Sequence, residues 1–331
     1  MSQMDELVYW LALQEVYWWF PPRKIESAIK ELGSIEKLWY ANENYLINLG
    51  IKREFVKKFV EYRKSINLEK FAEQLDEIRR RNINIIPYVH PEYPETLKNI
   101  KWPKKYLAPR ILFHVGVALR SINLKRCVGV AGRRLCSDHA SKIAYDVGAQ
   151  LAKHNYVTVS GLAIGVDSEA HKGAIDNGGL TIAVLPWLTP IYPPENLNLA
   201  KKIKEHGCLL SECYRKPKSG NIKWRIIERN KIISGLSRCL VIVETGKKGG
   251  TIRTAEIALE MKKRVFVFAP KVADDITTKG YTYLISRGAE SFNSLDELIK
   301  KIDETYQTSK RKRQNLDSAH DLTRFLGNAL T

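Results

Sequence analysis

The sequence predicts an α/β protein with a Rossmann-like, mainly parallel sheet covered by helices on both faces, preceded by a small helical module. Three observations carry the prediction. From residue 126 to residue 269, short and continuously apolar segments alternate with stretches of helical periodicity. These apolar segments lack the polar alternation of a half-exposed strand, so they are buried on both faces, as parallel strands joined by helical crossovers must be. Residues 1–66, by contrast, carry only the three-to-four-residue apolar rhythm of helices.

Taken in order, Leu7, Leu11 and Leu13 with Trp10, Trp18, Trp19 and Phe20 form a first apolar helix, closed by Pro21 and Pro22. Lys24 to Leu32 follows with Ile25, Ala28, Ile29 and Leu32 on one face, and Gly33 ends it. SIEKLWYA, ENYLINLGI and REFVKKFVEYR read as further short helices, completing a first domain over 1–66. The turn Leu49, Gly50, Ile51 can offer backbone N–H groups to phosphates, but a packing domain or protein-docking platform explains the module equally well. Its aromatic side chains read as core. A second domain over 67–305 opens with an amphipathic helix from Leu68 to Arg81 and a strand from Ile83 to Val89. A connection punctuated by Pro91, Pro94, Pro103 and Pro109 leads to a strand from Ile111 to Gly116.

The alternating series then runs strand Arg126–Gly132, helix Asp138–Lys153, strand Tyr156–Val159, helix Asp167–Asn177 and strand Leu180–Leu185. Helix Glu195–His206, strand Cys208–Glu212, helix Trp224–Leu236, strand Cys239–Glu244, helix Thr251–Lys262 and strand Arg264–Ala269 complete it. Beyond Ile299 the apolar rhythm fades. Residues 306–331, with the run Lys310, Arg311, Lys312, Arg313, are expected to form a basic, flexible tail.

The chain of 331 residues carries 54 Lys and Arg against 36 Asp and Glu, a formal charge of +18. That excess favours a polyanionic partner, nucleic acid or an anionic membrane surface. Cys127, Cys136, Cys208, Cys213 and Cys239 show no C-x-x-C pair and read as reduced thiols. The N-terminus is acidic where a signal peptide is basic, and no apolar run reaches about 18 residues, so a cytoplasmic protein with no membrane span is expected.

Ligands of an open parallel sheet sit outside the carboxyl ends of its strands. Four loops fall at that edge: Gly132, Arg133, Arg134; Ser160 to Asp167; Pro186 to Asn196, holding YPPEN; and TGKKGGT, which leads into a helix at Thr251. The stretch Val157 to His171 reads as strand, glycine loop and helix. A helix start exposes unpaired N–H groups and partial positive charge, which draw phosphate. Several basic and glycine-bearing loops on one edge point to a phosphate-bearing ligand. No G-x-G-x-x-G follows the first strand, and GKKGGT orders Lys and Thr wrongly for a Walker loop, so dinucleotide and ATP chemistry lack support. Asp167 reads as a helix N-cap and His171 as a packed, hydrogen-bonded histidine; neither has metal-ligand spacing with another His, Cys or carboxylate. No cofactor, metal or catalytic nucleophile is expected.

Together, VSGLAIGVDSEAHKGAIDNGGLTIAVLPWLTPIYPPENLNLAKKI, LLSE, ERNKIISGLS and KKGGTIRTAEIALEMKKRVFVFAP resemble the DNA-processing protein A family (DprA, also called Smf), over about Gly129 to Phe292. IIPYVHPEYPETLKNI followed by ILFHVG is similar to the family's lead into its Rossmann-like domain, and residues 1–66 look like its small SAM-like domain. The resemblance implies a DNA-binding recombination mediator rather than an enzyme: it binds single-stranded DNA, forms a homodimer and helps load a RecA-type recombinase during natural transformation. The family's Gly-Ser-Arg motif falls on Gly132, Arg133 and Arg134, with its Ser replaced. The Ser-Gly-Leu-Ala loop is intact at Ser160, Gly161, Leu162 and Ala163. The Arg-Asn-Arg-Ile-Ile-Ala-Gly-Leu-Ser stretch falls on Arg229 to Ser237, with Lys231 in place of the second Arg, and the Asn-Phe-Pro before it is replaced by Arg225, Ile226 and Ile227. The winged-helix domain of many members is not expected here.

Phosphate contacts are therefore expected from Arg134, Arg229 and Lys231, with Arg133, Lys247, Lys248 and Arg253 beside them. Uncharged donors are expected from the amides of Ser160 to Ala163 and of Gly249, Gly250 and Thr251. Two other readings stay open. Gly249, Gly250, Thr251 and Glu256 are loosely similar to the loop of nucleotide-hydrolysing phosphoribohydrolases, and the aromatic N-terminus suits an architectural dimer that binds a protein. Ile257 and Leu259 could serve a dimer surface or buried packing.

Overall fold

The structure, a computed structural model, describes residues 4–16, 20–100, 108–217, 222–270 and 275–307. Six helices open the chain: α1 (Glu6–Gln14), α2 (Pro22–Leu32), α3 (Ile35–Trp39), α4 (Glu43–Asn48), α5 (Arg53–Ser65) and α6 (Leu68–Arg80). Their starts are set by side chains that take up orphan N–H groups: Asp5, Ser34, Asn42 and Asn67 each cap the helix that follows, while α2 begins at Pro22. The first helix ends at Gln14, short of the Phe20 the apolar run suggested; Trp18 and Trp19 lie outside the described residues. Trp39, Phe20 and Phe59 are buried together, with ring centroids 5.3 Å (Trp39–Phe59) and 4.8 Å (Phe20–Phe59) apart, so these aromatics are core.

The remaining elements are β1 (Asn84–Pro87), α7 (Glu95–Lys98), β2 (Ile111–Gly116), β3 (Cys127–Ala131), α8 (Asp138–Lys153), β4 (Val157–Ser160), α9 (Val166–Asp176) and β5 (Thr181–Val184). They continue with α10 (Leu197–Glu205), β6 (Gly207–Ser211), α11 (Ile222–Glu228), α12 (Asn230–Leu236), β7 (Cys239–Ile242), α13 (Gly250–Glu260), β8 (Arg264–Phe268), α14 (Asp275–Ser286), β9 (Glu290–Phe292) and α15 (295–307). One sheet takes in all nine strands in the order β1-β2-β6-β5-β4-β3-β7-β8-β9. From β6 to β9 every neighbour pairs in parallel, whereas β1–β2 and β2–β6 are antiparallel. The mainly parallel sheet follows the sequence pattern.

Three details depart from it. The helix expected from Trp224 to Leu236 is interrupted at Arg229, the helix expected from Glu195 begins only at Leu197 after a tight turn, and β9 is too short at three residues for periodicity to reveal. Residues 306 and 307, expected in the flexible tail, instead belong to α15, where Tyr306 Oη donates to Cys127 O at 3.0 Å; residues 308–331, with the basic run Lys310 to Arg313, lie outside the described residues. Ile257 is fully buried against the sheet, so it belongs to the core and not to an outward dimer surface; Leu259 is partly buried.

The chain lays down β3, β4, β5 and β6 in one direction, then returns to place β7 beside β3 and builds outward the other way. That reversal opens a crevice between the loops after β3 and β7, where an open α/β sheet binds its ligands.

A buried cation helps tie the helical module to the sheet. Arg110, just before β2 and 2% exposed, donates to the carbonyls of Phe20 at 2.8 Å, Val16 at 3.1 Å and Leu13 at 2.5 Å. It satisfies carbonyls at the end of α1 and along the segment after it, so its loss would strand several buried acceptors. Arg110→Met is predicted to lower unfolding stability by about 3 kcal/mol, read from urea denaturation. Arg110→Lys should recover little of it, because an ammonium lacks the planar fork that spans separate carbonyls. Unchanged midpoints in both variants would contradict this role.

Candidate nucleic-acid interface

All four loops singled out in the sequence converge at the carboxyl edge, where they surround a cavity of about 650 Å³. Gly132, Arg133, Arg134 and Leu135 come from the loop after β3, Ala163 and Asp167 from the turn into α9, and Tyr192 from the YPPEN loop. Lys223, Ile226, Ile227, Arg229 and Asn230 come from α11 and α12, and Lys248, Gly249, Gly250 and Thr251 from the start of α13.

The cavity's inner wall is built around Arg229. It is 6% exposed, donates to the carbonyls of Gly161 and Val184, and turns its Nε onto Asn230 Oδ1 at 3.0 Å. A Cβ at position 161 would sit 2.2 Å from the guanidinium, so the close approach requires glycine there. Asp167 supplies the counter-charge and accepts from the backbone N–H of Gly161 at 3.1 Å and of Ala163 at 3.4 Å. Burial pushes the Asp167 carboxyl up against the opposing pull of Arg229, and burial draws Arg229 down to about 10, which leaves it cationic near neutral pH.

These contacts correct four expectations. The amides of Gly161 and Ala163 are taken by Asp167, Ser160 Oγ donates to Val130 O at 2.7 Å, and Leu162 is buried with φ +56° and its carbonyl held by Asn196 Nδ2 at 2.9 Å. Two of the loop's amides, those of Gly161 and Ala163, are thus taken up by the protein and not open to a phosphate. Asp167 is not the N-cap of α9; Gly165 is, and Asp167 closes the preceding loop. Arg229 directs its donors at carbonyls of the fold. Lys231, expected on phosphate, is fully buried and paired with Glu212 at 2.9 Å and Glu228 at 3.2 Å, out of reach of a strand.

His171 matches its expected structural role. It is fully buried with Nδ1 2.6 Å from Thr181 Oγ1. Because that hydroxyl donates to Thr158 O at 3.0 Å, the histidine donates through Nδ1, and burial drives its pKa down to about 3, so the ring is neutral.

On the outer wall the cations are differently disposed. Arg134 and Lys248 are exposed, as is Lys223 on α11, and none has an ion-pair partner among the described residues. Arg133 lines the cavity too but pairs with Glu244 at 3.2 Å. Lys247 is exposed outside the lining, and Arg253 pairs with Glu256 at 3.3 Å along α13. Gly249, at φ +125°, turns the chain into α13, so the helix's first amides and positive end face the cavity. Thr251 Oγ1 donates to Gly132 O at 2.7 Å and ties the two loops across the crevice. Glu256, on which the phosphoribohydrolase comparison rests, accepts from Arg253 and from Tyr283 Oη at 2.7 Å and does not line the cavity.

Sequence reasoning missed Leu135, which is 84% exposed, as well as Tyr192, Lys223, Ile226, Ile227 and Asn230. A signal existed for the last four. Positions 223, 226, 227 and 230 stand at helical i, i+3, i+4, i+7 spacing, so they share the face that lines the cavity.

Comparison with known proteins places this geometry. Residues 84–303 match the sequence profile of DNA recombination-mediator protein A. The Smf protein of Synechocystis sp. is 32% identical over 301 residues, covering 89% of this chain and 72% of that protein. The DNA processing protein DprA of Bacillus subtilis is 33% identical over 242 residues, covering 72% and 78% respectively. Among solved structures, DNA processing protein A of Streptococcus pneumoniae superposes with a TM-score of 0.70 at 26% identity, covering 91% of this chain and 98% of its own. That of Helicobacter pylori, described for its single-stranded DNA binding mode, superposes with a TM-score of 0.58 at 26% identity, covering 68% and 97%.

Beneath the cavity, two buried carboxylates share the ammonium of Lys231. Arg225 approaches Glu228 Oε2 to 3.6 Å, but that oxygen accepts no hydrogen bond among the described residues. Burial and the facing Glu212 carboxylate push Glu228 up to about 7, against the opposite pull of Lys231 and Arg225. The folded chain therefore holds a proton that the unfolded chain has released, and this group's contribution to stability falls as pH rises from the ordinary carboxyl range through about 7. Urea denaturation across about pH 5 to pH 8 is predicted to show that decline in the wild type and a flatter profile in Glu228→Gln. Identical profiles would contradict it.

Proposed function

This chain belongs to the DNA recombination-mediator protein A family, and we propose that it binds single-stranded DNA at the carboxyl edge of its parallel sheet, as a mediator of recombination rather than an enzyme. The observation that carries the reading is the cavity itself. Arg134, Lys223 and Lys248 stand unpaired among the described residues around a nucleotide-sized opening whose walls include Leu135, Tyr192, Ile226 and Ile227. In this reading the three cations and the first amides of α13 hold successive phosphates. The apolar wall packs against the bases without reading them, as sequence-tolerant single-strand binders do. A cavity of about 650 Å³ suits one extended strand better than a duplex. The formal charge of +18 favours encounter with a polyanion.

Membership of the family supports extending the proposal to a cytoplasmic homodimer that hands the strand to a RecA-type recombinase, as in DNA uptake and transformation. None of the described helices is long and apolar enough to cross a membrane.

Fluorescence anisotropy with labelled single-stranded and duplex oligonucleotides tests the proposal. Single strands should bind more tightly than duplex, and log K should fall linearly with log salt. Arg134→Ala should weaken binding by about tenfold for all sequences alike and reduce the salt slope by roughly one unit. Affinity indifferent to salt, or unchanged in Arg134→Ala, would overturn the assignment.

A further inference from the structure

A second cavity, of about 460 Å³, opens at the same edge of the sheet on the far side of Glu244. It lies over the ends of β7 and β8, between the start of α8 and α14, and its composition is unlike that of the first. Val243, Val267, Phe268 and Pro270 make it apolar, with Thr245 and Thr277 adding hydroxyls. The His139 ring packs against the Phe268 ring, centroids 5.8 Å apart at 51°, and the pair presents a patch of aromatic surface. Among its described lining residues there is no lysine or arginine, whereas the first cavity has Arg133, Arg134, Lys223, Arg229 and Lys248. The charged side chain it does contain is a carboxylate. These described residues suit a neutral ligand with a hydrogen-bond donor better than a phosphate group.

Glu244 defines where that donor goes. Its Oε1 accepts from Arg133 at 3.2 Å, and its Oε2 accepts from Ser137 Oγ at 2.8 Å and Ser137 N at 3.4 Å. A carboxylate has about four acceptor positions, so one remains, on Oε1. A single donor above an aromatic patch, in a cavity of nucleoside size, suits a purine with an exocyclic amino group.

We infer that this second cavity binds a neutral, amino-bearing purine base, as a free nucleoside or as a base of a bound strand, with its amino group on Glu244 and its ring against Phe268 and His139. Because Glu244 also holds Arg133 of the phosphate-binding cavity, the two sites share a wall, and occupancy of one bears on the other.

Calorimetric titration of the full chain with adenosine, guanosine and unsubstituted purine riboside is the test, repeated with His139→Ala, Ala140→Leu and Arg134→Ala. His139 is exposed, so its variant keeps the fold even if filling the cavity through Ala140→Leu does not. Adenosine or guanosine should bind, purine riboside, which has no amino group and no N1–H to donate, should bind more weakly, and both cavity variants should lose at least about tenfold in affinity. Arg134→Ala should leave nucleoside binding unchanged whatever it does to the strand. The source is separated with strands whose purines are replaced by abasic sites. If the base belongs to the strand, that replacement weakens binding to the wild type more than to His139→Ala. If a free nucleoside is the ligand, it weakens both alike, and adenosine still binds the strand-loaded protein. Equal binding of purine riboside and the amino purines, unchanged affinity in His139→Ala, or no nucleoside binding together with no differential effect of abasic strands would each overturn the inference.

Discussion

A buried guanidinium organises the edge of this sheet. Arg229 sits where α11 gives way to α12, and its bonds to the carbonyls of Gly161 and Val184 join the ends of β4 and β5 to that helix break. Taking a charge out of water is costly unless it is hydrogen-bonded and offset by opposite charge; here Gly161 O, Val184 O and Asn230 Oδ1 accept from the guanidinium, and Asp167 acts on it electrostatically. Asp167 lies opposite and in turn closes the loop through the amides of Gly161 and Ala163. Asn196 then fastens the YPPEN loop to Leu162, and Thr251 fastens the start of α13 to Gly132. These internal bonds tie together the loops that line the cavity.

The consequence is a division among the basic residues. Arg229 and Lys231 lie inside and neutralise carboxylates or carbonyls of the fold; Arg134, Lys223 and Lys248 lie outside, where phosphates can reach them. The substitution of lysine at 231 for the family's arginine fits this division. A compact ammonium between Glu212 and Glu228 needs no planar fork, which a bidentate grip on phosphate would. Glu244 marks the boundary between the two cavities, since its carboxylate holds Arg133 on one side and Ser137 on the other.

Much of this architecture was legible in the sequence because burial on both faces leaves a simple signature. Ile111–Gly116 and Asp138–Lys153 were read to the residue, and the gathering of four loops at one edge follows from parallel strands alone. What escaped was the direction in which polar groups point. Ser160 to Ala163 looked like an anion-binding loop because glycine and helix start were both present, yet nothing in the pattern shows that Asp167 would fold back and take its amides. Charge type likewise did not reveal that Lys231 would be buried, since its partners lie at 212 and 228 on different elements. Lys223, Ile226 and Ile227 were within reach of helical periodicity, which has to be read as a face lining a site as well as a face covering a core.

The central claim is that the strand is held by the outward cations of the sheet edge while the inward ones hold the edge together. The most direct measurement is a structure of the protein bound to a short oligothymidylate. The account predicts phosphate oxygens about 3 Å from Arg134, Lys223 and Lys248, with Arg229 still on the carbonyls of Gly161 and Val184. A strand lying on another face, or one that draws Arg229 or Lys231 out of its buried pairing to grip a phosphate, would contradict it.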